Sequence, residues 1–249
     1  MEKKDILEIL LEDNKNKYKL IVFVALFENK NTEYYKQYLS NREYKYYDSL
    51  EYPKRKNTYL ISRYMAKKAI GYYVGKDFPR EFFIINGFFG QPIIKELTTH
   101  NNLQISITHC ENIGACIVYD ESILIGIDIE RIRKDSKSII EYCSEINKIG
   151  LSRTIDCKEE NEFYTIIWTL MEAISKVIKT GFTVDMGIFE IKNIEKLNNT
   201  YICYYKNFPH FIGKSFVFDK YVVSIVYPKK FKDSIDINLI QRMFQSTFK

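Results

Sequence analysis

Two stretches of this chain decide its fold: Gly126-Ile127-Asp128-Ile129-Glu130 and, further along, Trp168-Thr169-Leu170-Met171-Glu172-Ala173-Ile174-Ser175-Lys176. The first stretch closes an apolar run, 123–129, whose β-branched residues predict a buried strand. Because side chains alternate along a strand, Asp128 and Glu130 share one face. Two neighbouring carboxylates on a buried strand repel each other and lose hydration, so this face predicts a bound cation.

The second stretch supplies further charged groups on one side of a helix. A helical period of about 100° per residue aligns Trp168, Glu172 and Lys176 along one stripe. The stripe adds a third carboxylate and an ammonium group that can bind a phosphate. Three hard oxygen donors beside an ammonium indicate a site for Mg²⁺ and phosphate rather than for zinc or calcium.

These residues also have ordinary structural explanations. Glu172 and Lys176 stand four residues apart, so they can form an exposed helix pair worth roughly 0.3 kcal/mol. Asp128 and Glu130 can mark a strand end that enters a polar turn, since basic residues follow at 131, 133 and 134. Trp168 fits a packing role better than a catalytic one. The occurrence of both stretches in this order favours the metal and phosphate interpretation.

The same two stretches resemble a pair of signatures from a known enzyme family. Gly-Ile-Asp-Ile-Glu at 126–130, followed by Trp-Thr-x-x-Glu-Ala-x-x-Lys at 168–176, resembles the motifs of 4′-phosphopantetheinyl transferases of the surfactin-synthetase type. Those enzymes move the phosphopantetheine arm of coenzyme A onto a serine of an acyl or peptidyl carrier protein, the reaction of a holo-[acyl-carrier-protein] synthase. Met171 departs from the pattern, because family members usually have lysine there. The charge of that lysine is missing from the predicted site.

The resemblance also implies an architecture. Family members are α+β proteins built as a pseudo-dimer of two similar halves, with the active site in the cleft between them. For this chain we expect an N-terminal half, 1–121, on the side of the coenzyme A 3′-phosphate and adenine. A C-terminal half, 122–228, is expected to hold the metal and the catalytic groups, with a tail at 229–249. The order of predicted strands and helices by itself also indicates α+β.

By the same resemblance, both halves contribute ligands. Mg²⁺ is expected on Asp128, Glu130 and Glu172, with Glu172 and Lys176 also catalytic. The residues implied for coenzyme A are Arg55, Arg63, Lys67, Gly90, Gln91, Pro92, Thr108, His109, Asp128 and Lys176. Two of them differ from the common motif. Gln91 replaces a lysine, whose charge Lys95 can supply, and Thr108 replaces a serine but keeps the hydroxyl.

The group that deprotonates the carrier serine is left open by the sequence. Many family members have a further glutamate between the two motifs, and Glu145 is the nearest candidate here. Glu172 itself or a metal-bound water are the alternatives. The resemblance implies that Lys176 neutralises charge on the transferred phosphoryl group while 3′,5′-ADP leaves.

Composition is that of an ordinary globular protein, with 249 residues, 46% hydrophobic and 28% charged. The net charge of +5 suits an anionic co-substrate or an acidic carrier protein, and without a focused patch it does not indicate nucleic acid. Five scattered cysteines without C-x-x-C spacing favour a reducing compartment. The apolar run 20–27 is too short to span a bilayer. We therefore expect a cytoplasmic monomer without a nucleic-acid or membrane partner.

Two other functions fit parts of the pattern. A non-catalytic module that binds carrier proteins would keep the cleft of this fold and lack metal-dependent turnover. Another Mg²⁺-dependent nucleotide enzyme, such as a hydrolase, is the second alternative. The chain has neither G-x-x-x-x-G-K-[ST] nor G-x-G-x-x-G to support it.

The hydrophobic pattern of the rest of the chain predicts the other helices and strands. Apolar positions within 1–17 indicate an amphipathic helix, and 18–27 a buried strand. Long helices are expected over 56–74, ending at Gly71 or Gly75, and over 159–179, closed by Gly181. Further strands are expected at 82–85, 105–108, 114–119, 123–129, 187–191, 201–205 and 221–226, and further helices at 34–47, 138–148 and 237–244.

Overall fold

The computed structural model of the chain describes residues 5–13, 15–27, 32–76, 79–98, 100, 102–133 and 160–247. They form an α+β structure, as the sequence predicts. The chain divides into two compact units, one of residues 1–123 with 242–249 and the other of residues 124–241. The helix predicted at 138–148, and Glu145 within it, lie outside the described residues.

The first unit is built on a four-stranded antiparallel sheet in the order β1-β2-β6-β5. Its elements are β1 (Ile6–Glu12), β2 (Lys17–Leu26), α1 (Thr32–Lys36), α2 (Asn41–Ser49), α3 (Pro53–Val74), β3 (Phe83–Asn86), β4 (Pro92–Lys95), β5 (Leu103–Cys110) and β6 (Ile113–Asp120). Helix α3 packs on this sheet through Met65, Ala66, Ala69 and Ile70, all fully buried. Strands β3 and β4 form a separate antiparallel hairpin.

The helix predicted for 1–17 is wrong, because this segment contains strand β1. Its apolar residues have a spacing that also suits a helix, but β1 pairs with β2 along its whole length, from Ile6 opposite Phe23 to Glu12 opposite Lys17. Ile9 and Leu11 are buried, whereas Leu10 between them is 57% exposed. Pairing with a buried neighbouring strand therefore overrides the local helical pattern.

The second unit is a five-stranded antiparallel sheet in the order β7-β11-β10-β9-β8. Its elements are β7 (Gly126–Arg131), α4 (Glu160–Ile178), a 3₁₀ turn (Met186–Phe189), β8 (Ile191–Leu197), β9 (Thr200–Tyr205), β10 (Phe211–Phe218), β11 (Tyr221–Pro228) and a second 3₁₀ turn (Lys229–Phe231). A last helix, α5 (Ile237–Thr247), begins in this unit and runs past its boundary. Helix α4 packs on the sheet and supplies much of the core of the unit.

In each unit, a strand that precedes the long helix pairs with a strand that follows it. In the first, β2 precedes the long helix α3 and pairs antiparallel with β6, the last strand of that unit. In the second, β7 precedes α4 and pairs antiparallel with β11, again the last strand. In both units the long helix therefore lies, in sequence, between two strands that pair with each other.

One predicted helix end is confirmed, whereas a predicted strand and a predicted helix cap need correction. Gly75, one of the two glycines predicted to end α3, follows the helix in a left-handed conformation. The segment 187–191 was predicted as a strand, but most of it lies in the 3₁₀ turn before β8. At the end of α4, the first left-handed residue is Lys179, with φ of 62°, and Gly181 follows with φ of 53°. Among the described residues, no helix has the length and apolar content needed to cross a bilayer.

Candidate active site

The second unit brings β7 and α4 together through Gly126. A β-carbon on Gly126 would lie 2.0 Å from the carbonyl oxygen of Ala173, which belongs to the backbone of α4. Only glycine permits this approach. Because Gly126 faces the helix, Asp128 and Glu130 face it too, as the period of a strand requires. The alternation predicted for the first motif thus directs its carboxylates towards the second motif.

Lys176 of α4 reaches Asp128 across this contact. Its Nζ donates to Oδ1 of Asp128 at 2.7 Å and to the backbone oxygen of Ile127 at 3.0 Å. The side chain of Asp128 is 6% exposed and that of Lys176 is 27% exposed. The exposed helix pair considered for Glu172 and Lys176 is therefore replaced by a partly buried ion pair between the two motifs.

Glu130 and Glu172 carry the electrostatic signature of a carboxylate cluster. Burial raises the pKa of Glu130 to about 7, with a further contribution from Asp128, while Arg133 and Lys176 oppose the rise. Burial likewise raises the pKa of Glu172 to about 7, and Asp128 and Glu130 add to it. The charged forms of Glu130 and Glu172 are thus disfavoured by burial and by the neighbouring negative charge of Asp128. Such shifts are typical of functional sites.

A chain of buried hydroxyl groups supports this site and was not predicted. Oγ1 of Thr169 lies 2.6 Å from Oγ of Ser224, which lies 2.7 Å from Oγ of Ser215. Ser224 is the residue opposite Asp128 in the β7–β11 pair. These hydrogen bonds fix α4 to β11 beside the ion pair. In the sequence, Thr169 of the second motif is the feature that could have indicated this hydroxyl chain, since a buried polar residue on an apolar helix face needs a hydrogen-bond partner.

Two other residues of the second motif have packing roles. Trp168 is half-buried and contacts Phe182 edge-on, with ring centroids 5.2 Å apart. This agrees with the packing role considered for it. Met171 is fully buried in the core of the unit. The position usually taken by lysine therefore faces the core in this chain and not the carboxylates.

In the first unit, Arg63 lines a cavity of about 700 Å³. The guanidinium donates to Oδ1 of Asn86 at 3.2 Å, and its Cζ lies 4.5 Å from the centre of the Tyr59 ring. Arg42 and Lys95 line the same cavity. Arg42 was not predicted as a site residue. The signal for it is the capping box formed by Ser40 and Glu43, which starts α2 and places Arg42 in its first turn.

Like Arg63, whose Nε lies 3.8 Å from Oε1 of Glu43, Lys67 one turn further along α3 pairs with that glutamate. Its ammonium is fully buried and lies 2.6 Å from Oε2 of Glu43. It also donates to the backbone oxygens of Phe82, at 2.8 Å, and Pro79. These three acceptors match the three N–H groups of a lysine. The predicted role of Lys67 in binding phosphate stays a prediction, and its structural contacts are those of a buried ion pair.

The other predicted coenzyme A residues of this unit are spread over three elements. Arg55 is exposed in the first turn of α3. Thr108 is buried and His109 is exposed, because consecutive residues of β5 point to opposite faces. A ligand on one face of β5 can reach only one of the two side chains. Their joint role stays a prediction.

Gln91 organises the hairpin between β3 and β4. Its Oε1 accepts a hydrogen bond from the backbone N–H of Phe89 at 3.0 Å. Its side chain lies against Gly87, where a β-carbon would be 2.5 Å from the amide carbon. Gly90 adopts a left-handed φ of 82°, and Pro92 begins β4. Gln91 thus has a local role that requires a hydrogen-bond acceptor, and lysine offers none.

Comparison with known proteins bears on the second unit. No curated protein matches the chain. A match does exist for residues 124–226, which include β7, α4, the hydroxyl chain, Asp128 and Lys176. The family model of the 4′-phosphopantetheinyl transferase superfamily matches residues 124–226, the stretch that contains both motifs.

Proposed function

We propose that this protein transfers the 4′-phosphopantetheine group of coenzyme A to a serine of an acyl or peptidyl carrier protein and releases 3′,5′-ADP. The observation that carries the proposal is the contact between Asp128 and Lys176, beside Glu130 and Glu172, within the stretch that matches the superfamily. The surfactin-synthetase subtype, a monomeric state and a cytoplasmic location belong to the same proposal. So does the pseudo-dimer with coenzyme A held between its halves, which the resemblance implies.

The residue types fit Mg²⁺. Asp128, Glu130 and Glu172 would hold the ion, since a divalent cation stabilises the charged forms of neighbouring, partly buried carboxylates. When bound, the ion would neutralise charge on the coenzyme A pyrophosphate.

The protein's own groups supply two further parts of the mechanism. Lys176 carries a flexible ammonium group that can follow charge as it develops on the transferred phosphoryl oxygens. Glu172, with a pKa of about 7, can accept a proton from the carrier serine near neutral pH. Glu145 or water remain the alternative bases. Replacing Lys176 with alanine should lower the transfer rate by about 10²–10³.

The cavity of the first unit fits the nucleotide end of coenzyme A. Arg63, Arg42 and Lys95 bring three cations to its lining, and Tyr46 and Tyr59 bring aromatic rings. Cations suit a 3′-phosphate, and aromatic rings suit the face of an adenine. Arg42 and Lys95 would then supply the charge that Gln91 lacks. Arg42→Ala should weaken coenzyme A binding roughly tenfold and leave 3′-dephospho-coenzyme A unaffected, measured by calorimetry.

Intact mass spectrometry tests the transfer directly. Apo acyl and peptidyl carrier proteins are incubated with the protein, coenzyme A and Mg²⁺, and each should gain the mass of one phosphopantetheine group at its serine. Asp128→Asn should abolish the gain. Asp219→Asn, an exposed aspartate of the same unit, is the matched control and should leave it unchanged. Absence of any gain across acyl and peptidyl carrier proteins, with coenzyme A still bound, would favour a non-catalytic binding module instead.

A further inference from the structure

The carboxylate cluster already holds a cation that belongs to the chain. The ammonium of Lys176 lies 2.7 Å from Oδ1 of Asp128, well within the range of a charge-assisted hydrogen bond. Asp128 shares a face of β7 with Glu130, and this face is turned to the helix that carries Glu172. Lys176 therefore pairs with a carboxylate that lies between the two motifs.

The cluster is not assembled as a metal cage. Within the part of the chain that the structure describes, no group of three or more histidine, cysteine, aspartate or glutamate side chains is arranged to hold a metal ion. The three carboxylates are close enough to repel one another, yet their oxygens do not converge on one point. The pairing of Asp128 with Lys176 gives a physical reason, because this carboxylate is drawn towards the ammonium.

The backbone around this ion pair is held in place. Gly126 lies against the backbone of α4 at Ala173, and Thr169 hydrogen-bonds to Ser224 of β11. Moving the helix would break both contacts. The side chain of Lys176, by contrast, has four rotatable carbon–carbon bonds and is 27% exposed. A rearrangement at this site therefore requires only a rotation of the lysine side chain.

We propose that Lys176 is the counter-ion of the metal-free cluster, and that a divalent cation binds by displacing its ammonium from Asp128. Two cations bound to the same carboxylate repel each other, so the ion and Lys176 compete. Once displaced, the ammonium is free to turn to an anionic group of a ligand. The identity of the ion as Mg²⁺ rests on the proposed function, but the competition can be measured without coenzyme A or a carrier protein.

The first test measures metal affinity by titration calorimetry with MgCl₂, and with MnCl₂ by electron paramagnetic resonance. Lys176→Met removes the charge and keeps a side chain of similar length. It should bind either ion at least roughly tenfold more tightly than the wild type, because a like charge a few ångströms away is removed. Lys192→Met makes the same change of net charge at an exposed position of β8 and should bind like the wild type. Equal or weaker binding by Lys176→Met would overturn the proposal.

The second test uses the wild-type protein and does not depend on a variant that folds. Lysines are acylated briefly with acetic anhydride, with and without MgCl₂, and quantified by peptide mass spectrometry. Acylation of Lys176 should increase with Mg²⁺, while that of Lys192 stays constant. If Mg²⁺ leaves Lys176 as protected as before, or protects it further, the displacement does not occur. Failure of the proposed function would show instead in the transfer assay, whatever the metal titration gives.

Discussion

Gly126 and Ala173 approach so closely that strand β7 and helix α4 are in backbone contact. A β-carbon on Gly126 would lie 2.0 Å from the carbonyl oxygen of Ala173 and 3.1 Å from a methyl carbon of Val177. This single relationship sets the distance at which Asp128 and Lys176 can meet. The glycine of the first motif is thus explained by its contact with the backbone of the second.

Gly126→Ala should therefore lower both stability and activity. The added methyl group meets backbone, which cannot rotate away, so we expect a loss of about 1–3 kcal/mol in the free energy of unfolding. The matched control is Gly213→Ala, where the nearest atom is the side-chain methyl Cδ2 of Leu170 at 2.6 Å. Urea denaturation compares the two. A Gly126→Ala protein as stable as the wild type would show that α4 can retreat at little cost.

The metal-free protein should lose stability as the pH rises from about 4.5 to about 7. Glu130 and Glu172 have folded-state pKa values near 7, above their ordinary value of 4.5, so the folded state binds protons more tightly in this interval. The unfolded state releases them first, and the free energy of unfolding falls with pH.

Denaturation between pH 5 and pH 8 in a chelator measures this slope. Glu172→Gln should flatten it, because it removes one of the two groups whose pKa is raised in the folded state. A stability that rises over this interval in the chelator, or a slope unchanged by Glu172→Gln, would contradict the carboxylate cluster.

Lys67→Met distinguishes a structural role from a role in binding phosphate. The change leaves the buried carboxylate of Glu43 without its nearest cation, which should cost roughly 3 kcal/mol of stability. The coenzyme A affinity of the folded variant, measured by calorimetry at low temperature, should stay close to that of the wild type. Lys45→Met, at an exposed position of α2, is the control for net charge. A stable variant that no longer distinguishes coenzyme A from its 3′-dephospho form would restore the phosphate role.

Gln91→Lys should weaken the β3–β4 hairpin and not simply improve phosphate binding. Lysine cannot accept the hydrogen bond from the N–H of Phe89, so we expect a cost of about 1 kcal/mol. Gln91→Glu keeps an acceptor at the same position and should cost less. Thermal melts of the two variants measure the effect on the stability of the turn, and calorimetry with coenzyme A measures the effect on ligand affinity. Equal melting temperatures would mean that the side chain does not stabilise the turn.

Part of the site could be predicted from local sequence. The two motifs predicted a strand with its carboxylates on one face, and a helix with Glu172 and Lys176 on one stripe. Both follow from the periods of a strand and a helix, which depend only on residue spacing. The superfamily resemblance rested on the same residues, and the family model of that superfamily matches 124–226. These predictions needed no knowledge of how distant segments meet.

Contacts between distant segments were decided by the tertiary structure. The partner of Lys176 is Asp128, 48 residues away, and not Glu172 on the same helix. Strand β1 is a strand because β2 lies beside it, although its own spacing suits a helix as well. Lys67 and Arg63 lie one turn apart and both pair with Glu43, from helix α2, yet of the two only Arg63 also lines the cavity. Residue spacing determined which side chains share a face. Burial and pairing with remote segments decided which partner each side chain has. The reason is that the desolvation of a charged or polar group is compensated only by the neighbours that the folded chain provides.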